Sequence, residues 1–113
     1  MVQFADVDEV FHALSNPTRR QVVERLSAGP ATVSELAAPF DMQLPSFVQH
    51  LAVLEQSRLV TSTKQGRVRT YALAPERFRV VDDWLAERRR LWEPRLDRFD
   101  EYVMQLKERK SQA

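Results

Sequence analysis

The chain has 113 residues, 43% of them hydrophobic and 29% charged, with a net charge of +1. That suits one soluble globular domain with a modest core that would gain from a partner. Its 2 glycines argue against a glycine-rich phosphate loop and against an all-β fold of tight turns, and the lack of cysteine excludes disulfides and thiolate metal sites.

The start, Met1–Val10, carries acidic residues where a signal peptide needs a basic end and an apolar run. No apolar stretch reaches the roughly 18–20 residues of a membrane span. A cytoplasmic protein with no membrane partner is expected. Val7, Val10, Phe11 and Leu14 then recur at helical spacing, with Asp6 or Asp8 near the helix start. Asn16-Pro17 breaks the pattern, Asn16 as an N-cap and Pro17 at a first helical position, so a second helix begins there. Val22, Val23 and Leu26 form its inner face, and Gly29-Pro30 ends it.

Thr32-Val-Ser-Glu35 is a capping-box pattern that opens a short helix, which Pro39 stops. Phe40-Asp41-Met42 is a turn, and the next helix runs from about Pro45 to about Gln56. On it Phe47, Leu51 and Leu54 fall within about 60° of one another and form the inward stripe, with Leu44 beside them. Ser46, Gln49, Val53 and Gln56 point the other way. An outer face with Ser and Gln near its start, and no carboxylate there, can enter a major groove without repelling phosphates. Leu59–Thr63 and Val68–Leu73 are β-favouring and are joined by Lys64-Gln65-Gly66-Arg67, where Gly66 supplies a positive φ. Helix, turn, helix and hairpin in this order predict a winged helix-turn-helix, with the motif at about 32–57 and the wing at about 59–73.

From Pro75 the chain turns helical again to about residue 109, with a kink or break expected near Arg90–Glu93 because of Pro94. Val81, Trp84 and Leu85 make one apolar patch; Trp92, Leu96, Phe99, Val103 and Leu106 make a seam at alternating spacings of four and three. A second copy of the chain is the economical cover for that seam. Charge is unevenly spread: Arg58 to Arg79 holds Arg58, Lys64, Arg67, Arg69, Arg77 and Arg79 against Glu76 alone, net +5, so the remainder is net acidic. Lys64, Arg67 and Arg69 on the hairpin suit salt-sensitive contact with a DNA backbone. The fold class expected is mainly α with a small β-hairpin, a single domain over 1–113 with C-terminal helices for dimerisation.

Three blocks resemble the ArsR/SmtB family of bacterial winged-helix repressors: Ala13–Arg20 (ALSNPTRR), Val33–Leu54 with Gln49–Leu54 (QHLAVL), and Gly66-Arg67 through Tyr71–Leu73. The resemblance covers about Val7 to Leu73, and Pro39–Met42 with the tail tryptophans Trp84 and Trp92 resembles one subgroup. It implies a homodimer formed by the first and last helices, bound to double-stranded DNA at an inverted repeat. On it Val7, Val10, Phe11, Leu14, Trp84, Trp92, Leu96, Phe99, Val103 and Leu106 are expected at the dimer interface. Carried over position by position, Gln43, Ser46, Gln49 and His50 fall on DNA-facing or DNA-adjacent places, and Lys64, Gly66 and Arg67 on the wing. Two positions depart from the family pattern: Val48 stands where a serine is usual, and Arg58 where a glycine ends the recognition helix. Phe47 and Val48 make the helix start more apolar than usual, which suits either contact with a thymine methyl or a specificity poorer than the family norm.

Relatives that sense metals use cysteine pairs or His with Asp/Glu on the last helix. Here His12 and His50 lack a ligand-spaced partner there, and Asp82, Asp83 and Glu87 are carboxylates without imidazole, so no metal and no cofactor is expected. No nucleophile–base set or paired catalytic carboxylates can be drawn, which excludes an enzyme reading. The reading is a homodimeric repressor whose small-molecule effector, if one exists, the sequence leaves unnamed. The alternative is a winged helix that docks on proteins, for which Val48 and Arg58 speak.

Overall fold

The computed structural model describes the backbone of residues 4–112 and, apart from 4–5, 93–97 and 111–112, their side chains. In chain order the elements are α1 (Phe4–Leu14), α2 (Pro17–Leu26), β1 (Ala31–Thr32), α3 (Val33–Ala37), α4 (Leu44–Gln56), β2 (Val60–Gln65), β3 (Val68–Leu73) and α5 (Arg79–Gln112). A 3-10 turn over Pro75–Phe78 precedes α5. The chain divides into two compact units, Met1–Val81 and Asp82–Ala113.

In the first unit the helix starts follow local chemistry. Asn16 sits in extended backbone and its Oδ1 accepts from the Thr18 amide at 2.9 Å and the Arg19 amide at 3.2 Å. At Thr32 the capping box is complete: the Glu35 amide donates to Thr32 Oγ1 at 3.2 Å, and the Thr32 amide donates to Glu35 Oε1 at 3.1 Å. The Thr32 backbone amide, and next the Thr32 hydroxyl, hold the Glu35 carboxyl below its usual pKa of 4.5. Helix α4 begins at Leu44-Pro45 with Gln43 as N-cap, and Gln43 makes no side-chain capping bond.

The sheet has three antiparallel strands in the order β1-β3-β2, one more than the hairpin expected. Ala31 pairs with Tyr71 and Thr32 with Thr70; across the hairpin Ser62 pairs with Tyr71 and Lys64 with Arg69. The strands run closer to the tip than expected, leaving Gly66-Arg67 as the turn, and Gly66 takes φ +61°. The core joins Val10, Ala13, Val22, Leu26, Leu36, Phe47, Leu51, Leu54, Leu59, Val60 and Tyr71 from all layers of this unit. Leu44, placed by its spacing beside the inward stripe, is instead 54% exposed because it opens α4 ahead of the packed turn. Val53, assigned to the outer face, packs partly against the core.

Val7 and Val10 are buried inside this unit at 3% and 0% exposure, so the expectation that they face a second copy is corrected. They have no surface left to give to a partner. Of the α1 residues named with them, Phe11 is exposed and Leu14 half-buried. At the far end of α4, Ser57 is followed by Arg58 at φ +66°, the only non-glycine with positive φ among the described residues. A side chain in that region costs on the order of 1 kcal/mol. Arg58 Nη2 donates to Asp6 Oδ1 at 3.0 Å, and the largely buried Arg77 donates to the same oxygen at 3.0 Å and to the Ser57 carbonyl at 2.8 Å. The α4–β2 turn is thereby tied to α1 and to the approach to α5.

In the second unit α5 continues as one helix through Gln112, so of the kink or break expected near Arg90–Glu93 the break does not occur. Proline removes one backbone donor from such a helix but leaves the remaining ladder to carry it. Trp92, Phe99, Tyr102 and Leu106 are exposed, and Val103 is half-buried. Trp84 carries the Arg88 guanidinium 5.1 Å from its ring centre. The side chain of Leu96 lies outside the described residues. No described helix is long and apolar enough to cross a membrane.

Candidate nucleic-acid interface

Helix α4 presents one face to the core and one to solvent, and the division decides what it can touch. Phe47, Leu51 and Leu54 are buried at 1%, 0% and 0%. Phe47 stacks at a tilt on Phe40, ring centres 5.3 Å apart, which fixes the turn before α4. The expectation that Phe47 also touches DNA is therefore corrected: its side chain has no exposed area to offer, because its place in the inward stripe wins. Ser46 and Gln49 are exposed on the opposite face, and Gln43 is exposed at its start. Val48, 42% exposed, is the apolar member of the solvent face. No carboxylate lies in the first turn of α4, so the amide end of the helix stays attractive to an anion.

His50 occupies the edge between the two faces and is half-buried. Its Nδ1 lies 3.1 Å from Arg19 Nη1. Burial, and next the Arg19 charge, hold its pKa below the usual 6.5, so the ring is neutral at neutral pH. Arg19 itself is 8% exposed, and nothing in its sequence position assigns it this role.

The wing supplies the cations. Lys64 and Arg67 are exposed, Gly66 makes the tip, and Val68 beside them is 52% exposed. Lys64 and Arg69 are directly paired across the hairpin, an arrangement of like charges that costs stability. Arg69 is relieved by a local chain: its Nη1 donates to Ser62 Oγ at 2.8 Å, and Ser62 Oγ donates in turn to Glu55 Oε1 on α4. Arg69 is thus half committed inside the molecule, whereas Lys64 and Arg67 project into solvent. The same chain joins α4 to the hairpin. Burial, and next the Glu55 charge, raise the pKa of the neighbouring Tyr71 above 10.0.

Between the start of α3 and the hairpin lies an open groove of about 270 Å³, lined by Thr32, Val33, Ser34, Arg67, Val68 and Arg69. Arg67 and Arg69, with the hydroxyl residues Thr32 and Ser34, are among its lining and are side chains of the kind that donate to a phosphate oxygen. Ser46, Gln49, Lys64 and Arg67 thus share one unit with a neutral His50, and Phe47 is withdrawn from them. Sequence reasoning misses Ser62, Glu55 and Arg19. Each acts through a partner 7 or more residues away, a separation that carries no periodic signal. Among the described residues no cluster of three or more His, Asp or Glu could hold a metal ion.

Residues 14–63 match the family model described as a helix-turn-helix domain. The chain is similar to the HTH-type transcriptional regulator Rv2034 of Mycobacterium tuberculosis, 41% identical over 75 residues, covering 66% of this chain and 70% of that one. It is also similar to the transcriptional repressor SdpR of Bacillus subtilis, 33% identical over 79 residues, covering 70% of this chain and 88% of the repressor. Among solved structures, that of an ArsR family transcriptional regulator, RHA00566, is 55% identical with a TM-score of 0.78, over 82% of this chain and 97% of that one.

Proposed function

The chain belongs to the ArsR family of helix-turn-helix transcriptional regulators, and from that premise we propose that it is a homodimeric repressor bound to an inverted-repeat operator. The observation that carries this reading is the solvent face of α4, where Ser46 and Gln49 stand exposed without a carboxylate beside the cations Lys64 and Arg67 of the wing. Ser46 and Gln49 read base edges in the major groove, Gln49 able to bond adenine through two atoms. Lys64 and Arg67 neutralise phosphates and set the register without reading sequence. Arg69 supports the wing through Ser62 and adds to the positive field there more than it touches DNA. The apolar residues Trp92, Phe99 and Leu106 of α5 are the cover for a second copy, which places two recognition helices on the two half-sites. Occupancy of the operator then excludes polymerase.

Arg58 no longer speaks for the protein-docking alternative. It takes the left-handed conformation that the family's glycine would take, and its guanidinium bonds Asp6. The test is fluorescence anisotropy against DNA from the chain's own promoter region, with scrambled DNA as control, over a salt series. Specific binding at two protomers per site is expected. Replacing Lys64 and Arg67 with Gln should weaken binding to both DNAs and make the salt slope shallower by about 0.9 for each phosphate no longer neutralised. Equal, weak binding to native and scrambled DNA overturns the reading.

A further inference from the structure

The guanidinium of Arg19 is committed on three sides. Nε donates to the Ala13 carbonyl at 2.7 Å and Nη2 to the His12 carbonyl at 3.1 Å, while Nη1 lies 3.1 Å from His50 Nδ1. The two carbonyls lie in the last turn of α1, where helical amides run out; that of His12 also accepts from the Ser15 amide at 3.2 Å and the Ser15 hydroxyl at 2.7 Å. The third partner belongs to α4. One buried side chain therefore joins the end of α1, the first turn of α2 and the DNA-facing helix.

The bond to His50 has only one chemical form. An arginine side chain is a donor at every nitrogen and does not lose its proton in proteins. The Nδ1 it meets must then carry a lone pair, and a neutral imidazole with a bare Nδ1 holds its proton on Nε2. Nδ1 is turned to the buried guanidinium, so Nε2–H, across the ring, is turned away from the α1–α2 junction. His50 lies one turn after Ser46 on α4, on the flank of the face that carries Gln49.

We infer that Arg19 is a positioning residue for operator binding: it fixes His50 as the Nε2–H tautomer and presents that N–H, as an uncharged donor, to a backbone phosphate beside the recognition helix. The inference rests on the operator reading above. It separates His50 from the wing cations, because an uncharged donor displaces no counterion. Lys64 and Arg67 set the salt slope, whereas His50 adds affinity that salt does not remove.

Two isosteric variants test this without touching the buried arginine. His50→Asn keeps an acceptor near the position of Nδ1 and deletes the distal donor. His50→Gln keeps a distal N–H and removes the acceptor. For His50→Asn the expected result is operator affinity down about tenfold, as for loss of a hydrogen bond to a charged group, with an unchanged salt slope and an unchanged melting temperature. His50→Gln should recover part of that affinity. Long-range proton–nitrogen NMR of the free wild-type protein should show Nδ1 bare and Nε2 protonated, and Arg19→Lys should mix the tautomers. A proton on Nδ1 in the wild type, an affinity for His50→Asn equal to wild type, or a slope that becomes shallower each overturns the inference; the last would mean a cationic His50. If the wild type itself prefers no native DNA, the operator reading fails first and this inference with it. If the wild type binds specifically and His50→Asn matches it, only the role of Arg19 and His50 falls.

Discussion

The two units of this molecule treat their large apolar residues in opposite ways. In the first, Phe47, Leu36, Leu51, Leu54 and Leu59 are essentially inaccessible, and every layer contributes to one core. In the second, Leu91, Trp92, Phe99 and Tyr102 are 57–63% exposed along a single helix. The first unit meets its own need for burial; the helix beyond it does not. One region closes its own core, and the other leaves uncovered the apolar side proposed above to meet a second copy. An isolated helix gains little from its own hydrogen bonds, so the tail depends on what its apolar side is pressed against.

That contrast fixes how substitutions in the two regions should differ. Phe47→Ala should cost about 3–5 kcal/mol by opening a cavity between α4 and the turn before it. Chemical denaturation should show that loss to be the same at every protein concentration. Phe99→Asp should leave the first unit folded but weaken self-association about 30-fold or more, the scale of a lost interfacial anchor. Sedimentation equilibrium reads this directly, and a dimer that survives the change would assign the exposed apolar side of α5 to some other role. Thr32→Ala should cost about 1 kcal/mol through loss of the capping hydroxyl, and Thr32→Ser should restore most of it. The smallest effect concerns acid. The folded chain holds the His50 pKa below 6.5, so as pH falls the unfolded chain takes up the proton first. Stability from this group is complete above about pH 6.5 and declines as pH drops towards and through the lowered folded value. In His50→Asn that part of the acid-side decline should vanish from urea melts taken across the pH range, while the carboxylate part remains.

Residues whose role is local are legible in the sequence. Asn16-Pro17 and Thr32-x-x-Glu35 mark helix starts because the atoms they satisfy lie 2 or 3 residues away, and the structure finds those bonds made. The inward stripe of α4 follows from helical period alone. Pairings across the fold are not legible. Strand β1 is only 2 residues long and is recognisable as a strand only from its partner Thr70-Tyr71. Val7 and Val10 show that an apolar spacing identifies a buried face without saying whose core buries it. Phe47 shows how a DNA-facing role yields to the period of the helix itself. Arg19, inside a block that resembles the family, owes its importance to His50, 31 residues later.

Thr32 serves two elements at once. It is the last residue of β1, paired with Thr70 of the hairpin, and it is also the cap of α3. Wing and helix-turn-helix are coupled at this residue, in addition to the Arg69–Ser62–Glu55 chain that ties the hairpin to α4. Hydrogen exchange at the Glu35 amide and at the amides joining β1 to β3 should share one opening free energy. In the operator reading proposed above, a DNA backbone that pulls on the hairpin tip acts on the cap of α3 as well, so that engagement of the groove and engagement of the flank become one mechanical event.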